Sequence, residues 1–269
     1  MTTEMADIDE AVDWQGAEVR CEICVHSSLR AEGRCDLKRA CVRDCYARRI
    51  DRFFCANPGL AHQYLAHPYF EVRAIAARHA DIFYLPDLLK DPDEAVRWSA
   101  AARLPTRYLL PLRNDPHREV RIRVAGRLEG ADLKPMMEDE DYYVRLVVAR
   151  RIHPAQVYLM IEDREMEVRQ VVAERIGREW LMVMSVDEDA AVRLAVAQRL
   201  TPRQLVKLRD DPDWRVRYEA ASRIDPSKLG PMRADPDPLV QEKVSERLGT
   251  CPNVVEFPKG RRKRSPGRG

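Results

Sequence analysis

The chain has 269 residues, enough for a sizeable core in one or two domains. Apolar residues make up 45% and charged residues 33%, a soluble globular composition, and the net charge is only +2. Six basic charges of that balance sit in the last eleven residues, "KGRRKRSPGRG"; without them the body carries −4, which argues against a polyanion-binding surface by bulk charge.

The N-terminal segment, residues 1–20, has neither a basic n-region nor an apolar core, so no secretory signal is expected there. No apolar run approaches the roughly 18 residues of a membrane helix, and no membrane partner is expected. The expected compartment is the cytoplasm, where thiols stay reduced. Metal binding is therefore a better reading of the cysteines than a disulfide framework.

Six of the seven cysteines fall in a second segment, residues 21–57: Cys21, Cys24, Cys35, Cys41, Cys45 and Cys55. The Cys21-x2-Cys24 start lets two thiolates reach one centre from a tight loop. From Asp36 to about Phe54 the sequence predicts a helix, with Asp36 as N-cap and with Cys41 and Cys45 on one face. Arg34, Lys38, Arg39 and Arg43 supply cations that favour thiolates. Four thiolates suit Zn²⁺ or an iron–sulfur cluster, and spacing alone does not separate them. The ten-residue gap, the surplus cysteines and the basic surroundings lean towards a [4Fe–4S] cluster. His26 is a substitute ligand candidate two residues after Cys24, and Cys55, after two phenylalanines, reads as a buried apolar thiol. Phe53 and Phe54 are expected to bury against the first unit of a repeat that begins at residue 58.

Residues 58–250 carry that repeat. Val-Arg recurs at 72, 96, 120, 144, 168, 192 and 216, and Val240-Gln241 continues the series, always 24 residues apart. Counting each Val as position one, position eight is Arg at 103, 127, 151, 175, 199, 223 and 247, with His79 in the first copy. Position twenty is Asp from 91 to 235, followed by Pro at 92, 116, 212 and 236. Asp-Pro reads as a helix start, with Asp as cap and Pro in the first turn. Apolar residues four apart then give one buried face, and the stretch after the helix predicts a short 3₁₀ segment. The position-two Arg follows an acid by four residues, as in Asp93–Arg97 and Asp213–Arg217, the favoured helical pair at about 0.2–0.5 kcal/mol. The position-eight Arg lies where a cation can reach free carbonyls. Both columns read first as structural, with a polyanion ladder as the alternative.

Residues 251–269 complete the chain as a terminal cap, including an isolated Cys251, and a disordered basic tail. The tail could add a weak, salt-sensitive nucleic-acid contact. No phosphate loop, nucleophile elbow or metalloprotease motif is present, so the expectation is a protein that is not an enzyme.

The segment "CEIC…GRCDLKRACVRDCYARRIDRFF", followed by 24-residue "VRxxVAxRL" repeats, resembles the leucine-rich repeat variant family. That resemblance implies an all-α fold: a right-handed solenoid of alternating α and 3₁₀ helices behind a small Cys-rich [4Fe–4S] domain. It also implies the cluster's identity more firmly than spacing does. The family carries no assigned catalytic activity, and some members are encoded among nitrogen-fixation genes. The ligand set chosen here is Cys21, Cys24, Cys35 and Cys41, which precede or open the expected helix, with Cys45 as the alternative. The function expected is a non-catalytic scaffold for a protein partner on the solenoid surface, its cluster structural or sensing redox or iron status. Electron transfer to a redox partner and nucleic-acid binding through the tail are the alternatives.

Overall fold

The computed structural model describes residues 10–249. Cys251 and the basic tail lie outside them. The described residues are helical, with two isolated antiparallel β-bridges, Val12–Glu18 and Asp36–Ala40, and no strand. None of their helices is long and apolar enough to cross a membrane. Two compact units divide between His153 and Pro154.

The first unit opens with the Cys-rich region. Residues 10–20 form a turn closed by Val19 N–H donating to Ala11 O (2.9 Å), and Ala11 and Val19 pack with Cys41. Residues 10–20 therefore pack with the Cys-rich domain, whereas the sequence suggested a separate segment over 1–20. A short helix, α1 (Ser27–Ala31), comes next, then an irregular stretch, then α2 (Ala47–Ala56). The helix expected from Asp36 starts eleven residues late. Lys38 has φ +65° and breaks it, and Asp44 accepts from the Tyr46 amide (3.0 Å) just before α2 begins.

α2 packs on α3 (Phe70–His79), the helix of the first repeat. Phe53 and Phe54 are fully buried, as expected, with Phe54 edge-on to Tyr64 and stacked on His79. Trp14 stacks on Tyr69 at 5.9 Å, which ties the N-terminal turn to the same repeat.

Both units use one repeat. A ten-residue helix such as Glu94–Arg103 or Trp214–Arg223 alternates with a 3₁₀ segment such as Pro86–Lys90 or Gly230–Ala234. Val96 and Ala100, Val120 and Val124, and Val192 and Val196 have no exposed surface, and the Leu or Met of the 3₁₀ segments close over them. Full burial of one such side chain contributes about 1.5–3 kcal/mol. The helix cap sits two residues later than expected. Asp93, Asp189 and Asp213 accept from the second helical amide, while the position-twenty Asp makes the turn before it: Asp91 Oδ1 accepts from Asp93 N–H at 2.9 Å. Pro92 lies in that turn, outside the helix.

The Arg columns are structural, but not through the local pairs. Six of the position-two Arg residues make a two-pronged ion pair with the Asp eighteen residues on. Arg73–Asp91, Arg97–Asp115 and Arg121–Asp139 do so in the first unit, and Arg169–Asp187, Arg193–Asp211 and Arg217–Asp235 in the second. The remaining nitrogen reaches backbone carbonyls in the preceding turn, as Arg97 does at Asp91 O (2.9 Å). The position-eight Arg caps the helix of the repeat before it: Arg127 donates to Ala101 O and Leu104 O, and Arg247 to Ala221 O and Ile224 O.

Candidate metal centre

Four thiols come from two turns of the first unit, and the Cys35 thiol responds to the charges of the other three. The Cys21–Cys24 loop is closed by Cys24 N–H donating to Cys21 O (3.2 Å), and α1 begins soon after it. The second turn is the Asp36–Ala40 bridge, whose two backbone hydrogen bonds are 2.9 and 2.8 Å. In an antiparallel pair the flanking residues stand opposite one another. Here those are Cys35 and Cys41, whose thiols act on each other.

The electrostatics report the crowding. The neighbouring Cys41 thiol, burial, and the charges of Cys41, Cys24 and Cys21 all push the Cys35 thiol up. Cys41 moves the other way, to about 7. The neighbouring Cys35 thiol is the main cause, with burial opposing it and the backbone of Arg43 and Asp44 favouring the thiolate. One thiolate is favoured, and a second beside it is penalised unless a cation sits between them. Two buried sulfurs that cannot both ionise alone, with Cys21 and Cys24 close enough to act on one of them, fit a cationic metal core.

Cys45 follows Cys41 on the same loop. Burial and Asp44 raise its thiol. Its backbone N–H donates to Val12 O (3.0 Å) and its carbonyl accepts from the Tyr69 hydroxyl (3.4 Å). The expected helix is missing here: residues 41–45 form no α-turn that would set the two side chains on one face. Cys55 is exposed on α2, not buried.

His26 has its Nε2 taken by the Tyr64 hydroxyl, and burial lowers its pKa. Tyr64 is pushed up to about 12 by burial first, then by the charges of Cys24 and Cys41, so its ring borders the thiols. Of the expected cations, Arg34 pairs with Glu32 at 3.1 Å and Arg39 leans on Asp36 at 3.8 Å. An open cleft lined by Arg30, Arg39 and Arg52 reaches Cys35.

Several supporting residues escape a reading of the sequence. Asn57 donates to Arg34 O (2.8 Å) and Phe53 O (2.9 Å), so it pins the residue before Cys35 to the end of α2. Buried Arg49 joins Asp44 (2.9 Å) to Glu10 O (2.8 Å) and so braces the loop carrying Cys41. Only the Asn-Pro-Gly run at 57–59, a helix-stopping signal, marks any of them in the sequence.

Known proteins resemble this chain in both its Cys-rich region and its repeats. A family model described as "LRV protein FeS4 cluster" matches residues 11–63, starting in the turn that packs on Cys41. A solved structure described as "a leucine-rich repeat variant with a novel repetitive protein structural motif" shares 42% identity. The match covers 86% of this chain and 99% of that one, with a TM-score of 0.83. An uncharacterised 27.7 kDa protein in the nifB 3′ region of Rhodobacter capsulatus is 48% identical over 96 residues, 36% of this chain and 39% of that protein. The chain thus spans well under half of that relative's length. With the repeats matched end to end and the cofactor assigned to the Cys-rich domain, the chain belongs to the leucine-rich repeat variant family and is an iron–sulfur repeat protein bearing a [4Fe–4S] cluster.

Proposed function

We propose that Cys21, Cys24, Cys35 and Cys41 ligate the cluster and that the chain is a non-catalytic scaffold for a protein partner. The carrying observation is how the repeats use their polar groups. In each unit the Arg and Asp columns are consumed in ion pairs and carbonyl caps, while apolar side chains stand outside. Phe83 is 81% exposed beside Ile82 and Tyr84, and Val186 is 82% exposed beside Val183. A surface of that kind suits docking better than turnover. The reading assigns the cytoplasm, a compartment in which cysteines stay reduced. Full-length protein prepared without oxygen should retain one defined partner from its native host. The double variant Phe83→Glu with Val186→Glu should lose that partner at unchanged iron content and helicity. Retention by this variant, or a chemical turnover abolished with the cluster, would contradict the scaffold.

A second reading, electron transfer, is favoured by one observation. Cys21 and Cys24 are only half-buried, and Ile23 and Val25 between and after them are 74% and 86% exposed. A bound cluster supplies one-electron chemistry, and that loop leaves a short path to a docked partner. A potentiometric titration followed by EPR separates the two. A reversible one-electron couple supports transfer, and the lack of a second accessible state removes it.

A further inference from the structure

Asp51 and Cys55 lie four residues apart on α2, so their side chains leave the same face. His79, the last residue of α3, meets them there. One ligand atom from each of the three lies within 4.8 Å of the other two. His79 Nε2 is 2.9 Å from Asp51 Oδ1, and Cys55 Sγ is 4.0 Å from Asp51 Oδ2. Asp51 and His79 are half-buried and Cys55 is exposed, so the group opens to solvent on its sulfur side.

His79 departs from its own column. Every later copy has Arg at this position. Arg103 and Arg127 use it to reach carbonyls 26 and 23 residues earlier. For position 79 those carbonyls belong to Phe53 and Ala56, and Phe53 O is already taken by Asn57 Nδ2. The structural use of the column therefore does not explain a histidine here, and the core does not explain an exposed Cys55. Phe54, stacked under the His79 ring at 6.0 Å and 29°, holds the imidazole plane facing Asp51.

We propose that Asp51, Cys55 and His79 form a second metal site, separate from the cysteine quartet, for a divalent cation of borderline softness such as Zn²⁺. Thiolate, imidazole and carboxylate together are zinc's ordinary donors, whereas Ca²⁺ and Mg²⁺ take oxygen sets. Bonds of about 2.0–2.3 Å in a tetrahedron put donors about 3.3–3.8 Å apart. The spacings here bracket that range, so small side-chain rotations close the triangle. Binding releases the Cys55 proton to solvent and leaves a fourth position open on the exposed side. The bound ion bridges α2 of the Cys-rich domain to α3 of the first repeat.

The test uses full-length protein with its cluster intact, kept free of oxygen and titrated with zinc against a chromophoric chelator. One zinc per chain is expected. Its K-edge absorption should report one sulfur at about 2.3 Å and nitrogen or oxygen at about 2.0–2.1 Å. Cys55→Ser and His79→Arg should each weaken zinc by about 100-fold or more at unchanged iron and sulfide, since even indirect support of a ligand is worth about 10–100-fold. Unchanged far-UV dichroism in both variants separates loss of the ligand from loss of the fold. Zinc no tighter than in Cys55→Ser, a shell without sulfur, or zinc retained by both variants would overturn the site. Iron lost from Cys55→Ser would overturn it as well, by assigning that thiol to the cluster.

Discussion

At the scale of single residues, the most informative group is the position-twenty Asp. Asp235 accepts two bonds from Arg217, at 2.7 and 2.9 Å, and one from the Asp237 amide. Its side chain is 4% exposed and that of Arg217 is 10% exposed. Removing one partner of such a buried pair leaves the other charge unpaired, and Asp235→Ala should cost about 3–5 kcal/mol in urea unfolding. The Arg217 hydrogen bond is the main cause holding the Asp235 carboxyl below its ordinary value. Because the folded value lies below the unfolded one, this stabilisation is complete above about pH 4 and fades as pH falls through the folded value. The variant should therefore show a shallower loss of stability below about pH 4 than the parent, and equal slopes would contradict the pairing. Both columns are visible in the sequence, yet their partners are not. Local acid–Arg spacing favours Asp213–Arg217, worth a few tenths of a kcal/mol. In the fold Asp213 is occupied as a cap, and only the 3₁₀ turn brings Asp235 back to Arg217.

At the scale of elements, the cysteine quartet depends on one short turn. The bridge at Asp36–Ala40 sets Cys35 opposite Cys41, and Lys38 at φ +65° makes the reversal. A residue inserted after Leu37 shifts that register, which decides what faces what. It should cut iron content several-fold while far-UV dichroism, dominated by the repeats, barely changes. Normal iron in the insertion variant would contradict the role given to the turn. Helical periodicity conceals this turn, because "DLKRACVRDCYARRIDRFF" reads as one amphipathic run. A left-handed Lys leaves no mark in composition, and Asp44 and Arg49 act through a tertiary contact that local propensity does not see. The helix offered for choosing Cys41 over Cys45 is absent. The repeat helices are legible because a strict period averages out local ambiguity. Their caps fall two residues from the expected place because both Asp91 and Asp93 can accept an amide.

At the scale of the whole molecule, the chain joins a metal-bearing domain to repeats with a fixed division of labour. Buried Val and Ala supply the apolar contact, Arg supplies the ties between copies, and the exposed apolar residues remain for a partner. The Cys-rich domain has a smaller core of its own, Ala11, Val19 and Cys41, and it leans on α3 through Phe53, Phe54 and Trp14. A four-sulfur centre there supplies order that so few apolar residues cannot provide alone. The molecule's chemistry turns on which sulfurs hold the iron. The direct measurement is iron and sulfide per chain, with the Mössbauer spectrum, for Cys41→Ser and Cys45→Ser prepared side by side without oxygen. The arrangement of the thiols predicts a full four-iron complement in Cys45→Ser and its loss in Cys41→Ser. A cluster that survives in Cys41→Ser and disappears in Cys45→Ser would contradict it.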